Sequence, residues 1–223
     1  MRTPIGLALA ASACVAALPR AEARPVSYPQ GWTAQTFHEA ERNAGLVHYT
    51  LDTRTALGLR VEDRGDGDHV FVGAQANRLV KRWNARDSQA NLYLKGAVGL
   101  ARGDFGVDGA EARAAGLVAV AGDWEDRRLF VSGAARAYAV EGQVQAEQSA
   151  RLGVAPYVAE FGAIHTWLMV QLDHRPDRQD LPGGQGEDAF TVTPLVRLFR
   201  GPVLLEAGYS TNDEPLFNLT YRF

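Results

Sequence analysis

Thiols are nearly absent from this 223-residue chain, whose one cysteine is Cys14. That residue sits inside an N-terminal apolar run, so a chain cleaved after the run has no disulfide and no cysteine-based metal site. Basic residues do not dominate either: 23 Lys and Arg stand against 26 Asp and Glu, which excludes the basic footprint of a nucleic-acid binder. Long apolar stretches are missing after Leu18, mean hydropathy is −0.18, and no segment there is suited to cross a bilayer as a helix. Membrane-crossing strands are not excluded, because half of each barrel strand is free to be polar. The histidines are scattered, and there is no internal repeat, low-complexity run or Gly-rich phosphate loop.

At the N-terminus, Arg2 precedes an apolar run from Ile5 to Leu18, and Ala21-Glu22-Ala23 has the small-x-small pattern cleaved by a signal peptidase. Residues 1–23 therefore read as an export signal and 24–223 as a single domain. Removing Arg2, Arg20 and Glu22 with the signal leaves a net charge of −4. A lipoprotein cut before Cys14 is the rival reading. It is disfavoured because Ala11 stands where that signal prefers leucine and the apolar core becomes very short.

What the chain has in quantity is alternation with a period of two, the mark of β-strands with unlike faces. The spacing predicts strands over Trp32–Ala40, Gly45–Leu51, Thr55–Glu62, His69–Trp83, Asn91–Ala101 and Ala114–Trp124. Six more lie at Arg128–Val140, Leu152–Val158, Ile164–His174, Phe190–Phe199, Val203–Ser210 and Glu214–Phe223. Arg78 breaks the pattern of the fourth, which calls for a bulge or an early end. Connections alternate between short ones, such as Asp52-Thr53-Arg54, Glu125–Arg127 and Phe161–Ala163, and longer ones, such as Arg102–Arg113, Glu141–Arg151 and Arg175–Asp188. Trp32, Trp83, Trp124, Phe161, Phe199 and Phe223 all fall at strand ends on the short-turn side, where an aromatic girdle is expected.

The final stretch, Glu214 to Phe223, sets Phe217, Leu219, Tyr221 and Phe223 on one face against Asn218, Thr220 and Arg222. Alternating large apolar residues finishing in Tyr-x-Phe resemble the C-terminal assembly signal of bacterial outer-membrane β-barrel proteins. The resemblance implies an all-β fold: a transmembrane antiparallel up-and-down barrel of about twelve strands, with ten as the smaller alternative, short periplasmic turns and longer external loops. It also implies an outer-membrane location, outer-membrane lipids as surroundings, and the barrel-assembly machinery as a partner of the last strand. A soluble β-barrel or sandwich remains the alternative, since alternation does not say which face is inside.

In the membrane reading the polar faces line a lumen. Its candidate residues are His48, Arg60, Glu62, Gln75, Asn77, Lys95, Arg136, His165, Gln171, Asp173, Arg197, Glu206 and Arg222. Charges of both signs suit either a narrow channel for small solutes or ions, or a closed structural or loop-presenting barrel held by salt bridges. Oligomeric state and selectivity stay open.

A lipid-modifying enzyme is the third class and has the least support, with no catalytic residue assigned. Ser132 and His165 both point inward but lie on strands separated by another, and His38-Glu39-Ala40-Glu41 lacks a zincin's second histidine. No metal site or cofactor is expected. Arg64-Gly65-Asp66 and Arg102-Gly103-Asp104 spell an adhesive tripeptide at external turns, and Asp63, Asp66 and Asp68 invite a calcium reading. Turn chemistry accounts for Gly and Asp there, and for Gly183-Gly184-Gln185-Gly186. The segment Asn77–Asn84, continuing through Asp87–Asn91, resembles a stretch of a proteobacterial outer-membrane family associated with heavy-metal efflux. Its Lys81, Arg82 and Trp83 suit a periplasmic rim that meets lipid headgroups or a periplasmic partner.

Overall fold

The computed structural model describes residues 29–39, 42–65, 69–103, 112–176 and 190–223; the expected export signal, with Cys14, lies outside them, as does the glycine-rich tip at 183–186. Twelve strands succeed one another along the chain: β1 (Trp32–Glu39), β2 (Arg42–Thr50), β3 (Thr55–Arg64), β4 (His69–Asn84), β5 (Gln89–Gly103), β6 (Ala112–Glu125), β7 (Leu129–Val140), β8 (Gln143–Val154), β9 (His165–His174), β10 (Phe190–Arg200), β11 (Val203–Tyr209) and β12 (Pro215–Arg222). Each pairs antiparallel with its sequence neighbours, and β12 returns to β1 to close the barrel. At the closure, Trp32 N–H donates to Phe223 O at 2.8 Å and Phe223 N–H donates to Trp32 O at 3.0 Å. The edge pairing that a sheet otherwise leaves open is thereby satisfied.

Turn chemistry explains the hairpins on the rim that carries Trp32 and Phe223, here the terminal rim. The Asp52 carboxylate accepts from Arg54 N–H, and Asp126 accepts from the N–H groups of Arg128 and Leu129, all at 2.6 Å. This backbone donation holds both carboxyls below their usual range. On the opposite loop rim, Glu141 and Gly142 both take positive φ, 53° and 81°, and join β7 to β8 in a two-residue turn.

That turn corrects the sequence reading, which put a loop at Glu141–Arg151 and a strand at Leu152–Val158. The strand starts at Gln143, and the next connection fills 155–164 instead of Phe161–Ala163 alone. The alternation was hidden because the outer face of β8 is Val144, Ala146, Gln148 and Ala150, small and partly polar, while its inner face carries Glu147, Ser149 and Arg151. A polar strand of this kind reads as a loop. The expected rule of short turns on one rim and long loops on the other therefore fails at both ends of β8.

Irregularity in β4 falls one step beyond Arg78, as a register shift between Leu79 and Lys81, and the strand continues to Asn84. The shift inverts the facing of the last residues of the strand. Arg82 turns inward and its Nε donates to Asn91 Oδ1 at 2.7 Å, while Lys81 stays outside with Nζ 5.1 Å from the Trp83 ring centre. Of Lys81, Arg82 and Trp83, Arg82 thus lies on the inward side of the rim, where it remains exposed.

The outer surface is apolar and the interior carries the charge. Leu59 and Val98 are 67% and 72% exposed, and Val47, Leu57, Val72, Leu100, Leu168 and Val170 continue the same outer face. Close strand approach limits some positions to glycine. A Cβ at Gly99 would lie 2.0 Å from Val72 O. Trp32, Trp83, Trp124, Phe161 and Phe223 are exposed, with Trp32 against Tyr49 at 5.2 Å between ring centres. Phe199 is the exception to the expected girdle: it shares the inward face of β10 with Arg197 and packs 5.7 Å from His165.

Candidate functional site in the barrel interior

Two carboxylates organise the interior. Glu62 on β3, fully buried, accepts from Arg60 Nε at 2.6 Å, from Arg64 Nη1 at 2.9 Å, and from Arg136 of β7. Glu147 on β8 accepts from Arg42 Nη1 of β2 and Arg64 Nη2 of β3, both at 2.9 Å, and from Arg136 at 3.4 Å. β2 and β8 lie on opposite sides of the ring, so the Arg42–Glu147 pair spans the barrel. Arg42 also pairs with Glu39, and the Arg64 guanidinium lies 4.4 Å from the centre of the Tyr138 ring. Shared pairing of this kind is what makes several charges tolerable away from bulk water.

A second group is carried by β8–β12. Glu206 on β11 accepts from Arg151 at 3.1 Å, from Arg197 Nε at 2.7 Å and from Asn218 Nδ2 at 2.8 Å. Arg151 Nε also donates to Gln171 at 2.6 Å, and Gln171 Nε2 donates to Asp173 at 2.6 Å. Arg197 covers the Phe130 ring at 4.6 Å.

Register divides the interior into unlike halves. On β1–β4 the inward side chains Thr33, His48, Thr50, Glu62, Arg64, Phe71 and Asn77 are each at most 1% exposed. On β5–β9 a continuous band keeps partial exposure. Ala121, Ala134, Ser149 and Asp173 are successive ladder partners, and Asp123, Ser132 and Arg151 form the adjoining row. The residues at the centre of these rows are small, and the rows climb around the wall from β6, near the terminal rim, to the loop end of β9. Lys95 borders the band on β5.

The residues expected in the lumen thus separate. Arg60, Glu62, Gln75, Asn77 and Arg136 meet in the first network, and Gln171, Asp173, Arg197 and Glu206 in the second. His48 is buried, with neither ring nitrogen bonded among the described residues. Arg222 lies beside Thr33 across the closing seam, and His165 stands apart against Phe199. Phe217, Leu219, Tyr221 and Phe223, expected to form the assembly signal, face outward and are exposed.

Sequence reasoning missed Glu39, Arg42, Arg64, Glu147 and Arg151 as interior residues. Parity within β2, β3 and β8 would have found the last four had those strands been extended to their true ends, and Glu39 falls inside the expected first strand, on its inward parity. It also missed inward apolar groups, notably Phe71 with Tyr138, and Phe130 with Met169, Leu195 and Leu216. Arg64 bears on the adhesive tripeptide: its side chain is buried in the ion network and is not displayed. Asp66, Asp68 and Asp104 lie outside the described residues. Ser132 and His165 sit on β7 and β9 with β8 between them, and among the described residues no group of three metal-ligating side chains gathers.

No protein-family model matches the chain, and no curated protein matches it. Among solved structures, it is similar to a protein described as KdgM porin, at 9% identity over 86% of this chain and 98% of that one, with a TM-score of 0.47. It is also similar to the translocator domain of autotransporter NalP from Neisseria meningitidis, at 9% identity over 86% and 84% with a TM-score of 0.35. A loop L8 deletion mutant of OmpT, an outer membrane protein of Vibrio cholerae, matches at 12% identity over 87% and 96% with a TM-score of 0.29.

Proposed function

We propose that the protein spans the bacterial outer membrane and passes small polar or charged solutes along the partly exposed band on β5–β9. The observation that carries this reading is the inverted distribution of side chains around a closed barrel: large apolar groups face out, while a partly exposed row of Ala121, Ala134 and Ser149, edged by charge, lies inside. Hydrocarbon is the solvent that such an outer face suits, and closure leaves no strand edge unsatisfied within it. The Arg42–Glu147 bridge restricts the passage to small solutes. Outer-membrane lipids surround the band of Leu and Val, the export signal at 1–23 directs secretion, and the β12 face bearing Phe217, Leu219, Tyr221 and Phe223 engages the barrel-assembly machinery.

Single-channel recording of the purified, heat-modifiable barrel in planar bilayers tests the reading. Discrete openings of small conductance are expected. If no opening occurs at any voltage, the channel is excluded and the second reading takes its place: a closed, loop-presenting barrel. That alternative is favoured by the bridge across β2 and β8 and by the inward cluster of Phe130, Met169, Leu195 and Leu216.

A further inference from the structure

The donors around Lys95 lack acceptors, and the reason can be traced bond by bond. Arg60 is a donor only, and its Nη1 donates to Gln75 Oε1 at 3.2 Å. Gln75 is thereby oriented with its amide nitrogen toward Asn77, and donates to Asn77 Oδ1 at 2.7 Å. Asn77 must then turn its own Nδ2 away from that bond. This nitrogen is buried and has no partner among the described residues. Asn77 is the direct ladder partner of Lys95.

Lys95 itself has no ion pair among the described residues. Its charged surroundings are chiefly Arg60, Arg42 and Arg136, with Asp123 of opposite sign, and Asp123 already accepts from Asn91 Nδ2 at 2.6 Å. The same ladder row continues from Asn77 through Ala56 to Thr50, whose buried hydroxyl is also without a partner. His48, two residues from Thr50 on the same face, is buried with neither ring nitrogen bonded. The Lys95 ammonium and the Asn77 NH2 can only donate, the Thr50 hydroxyl and the His48 imidazole can each supply a further donor, and Ala56 and Ala119 beside them present only methyl groups. The missing element is an acceptor with negative charge.

We propose that Lys95 and Asn77, backed by Thr50 and His48, form a binding station for a small anion, a halide or a compact oxyanion such as phosphate. The binding stands independently of conduction. The further consequence, that passage favours anions, rests on the channel reading above.

Two measurements on the folded, full-length mature barrel separate these claims. In detergent, the line width of the chloride nucleus reports binding directly, and inorganic phosphate serves as competitor. Broadening above a protein-free control, reversed by phosphate, is expected. It should be lost several-fold in Lys95→Gln and in Asn77→Asp, where the new carboxylate supplies the missing acceptor, and recovered in Lys95→Arg. Heat modifiability verifies that each variant is folded, and the isosteric Asn77→Asp keeps the test open if Lys95→Gln does not fold. Broadening that is absent, or unchanged in the variants, overturns the station whether or not the protein conducts. In a bilayer with a potassium chloride gradient, the reversal potential should have the sign of chloride permeation and move toward zero in Asn77→Asp. A cation-selective reversal potential overturns the anion preference. A barrel that never opens but binds chloride upholds the station and removes only the channel.

Discussion

The two halves of the barrel interior use similar residues to opposite ends. On β1–β4, most charged and polar side chains are buried and hold one another through Glu62, Arg64 and Gln75. On β5–β9, charges stand beside alanine and serine that leave room, so Lys95, Asp123, Arg151 and Asp173 keep contact with the bore. The difference lies less in which charges are present than in what lies between them. Long side chains that converge on one carboxylate make a wall, and the same groups spaced by methyl and hydroxyl side chains make a path.

The strongest way to break this contrast is Glu62→Ala. It removes the carboxylate shared by Arg60, Arg64 and Arg136 and leaves Arg60 with only the Gln75 amide, and loss of a buried partner of this kind costs about 3–5 kcal/mol. Denaturant titration of the folded barrel in detergent should show that cost, whereas Asp123→Ala on the open half should cost at most about 1 kcal/mol. Equal losses would mean the halves do not differ.

Backbone spacing gives the next contrast. Gly99→Val drives its Cβ toward Val72 O, 2.0 Å away, at the β4–β5 seam, and should destabilise by about 1–3 kcal/mol or prevent folding. Gly133→Ala on β7, whose nearest neighbour would be Ser149 O at 3.7 Å, should change stability by no more than about 0.5 kcal/mol in the same titration.

The strands were legible in the sequence wherever large apolar residues alternated with polar ones, as in β3, β10 and β12. They were least legible in β8, where the outward residues are small or polar and hydropathy carries no rhythm. Inward parity was legible too, which is why His48, Arg60, Lys95 and Glu206 could be named as candidates. Their partners were not. Arg42 and Glu147 are 105 residues apart and meet across the barrel only because closure and stagger bring β2 opposite β8. No local pattern encodes that pairing. Arg64 was read as loop chemistry for a related reason: at the loop rim an inward charge and a turn residue look alike in one dimension.

Filling the path sharpens the comparison at smaller energetic cost. Ala134→Phe should leave the barrel folded while lowering single-channel conductance to below about a tenth of the parent value. Leu46→Ala, in the packed half, should leave conductance nearly unchanged.

Thiol accessibility most directly tests the central claim of one open and one packed half, because the chain beyond Cys14 has no cysteine of its own. Single cysteines at Ala134 and Ser149 on the open half, and at Ala44 and Leu46 on the packed half, would be treated with a small charged thiol reagent in the folded barrel. Rapid labelling of the first pair with protection of the second is the expected result. Equal labelling of all four, or protection of all four, would contradict the account.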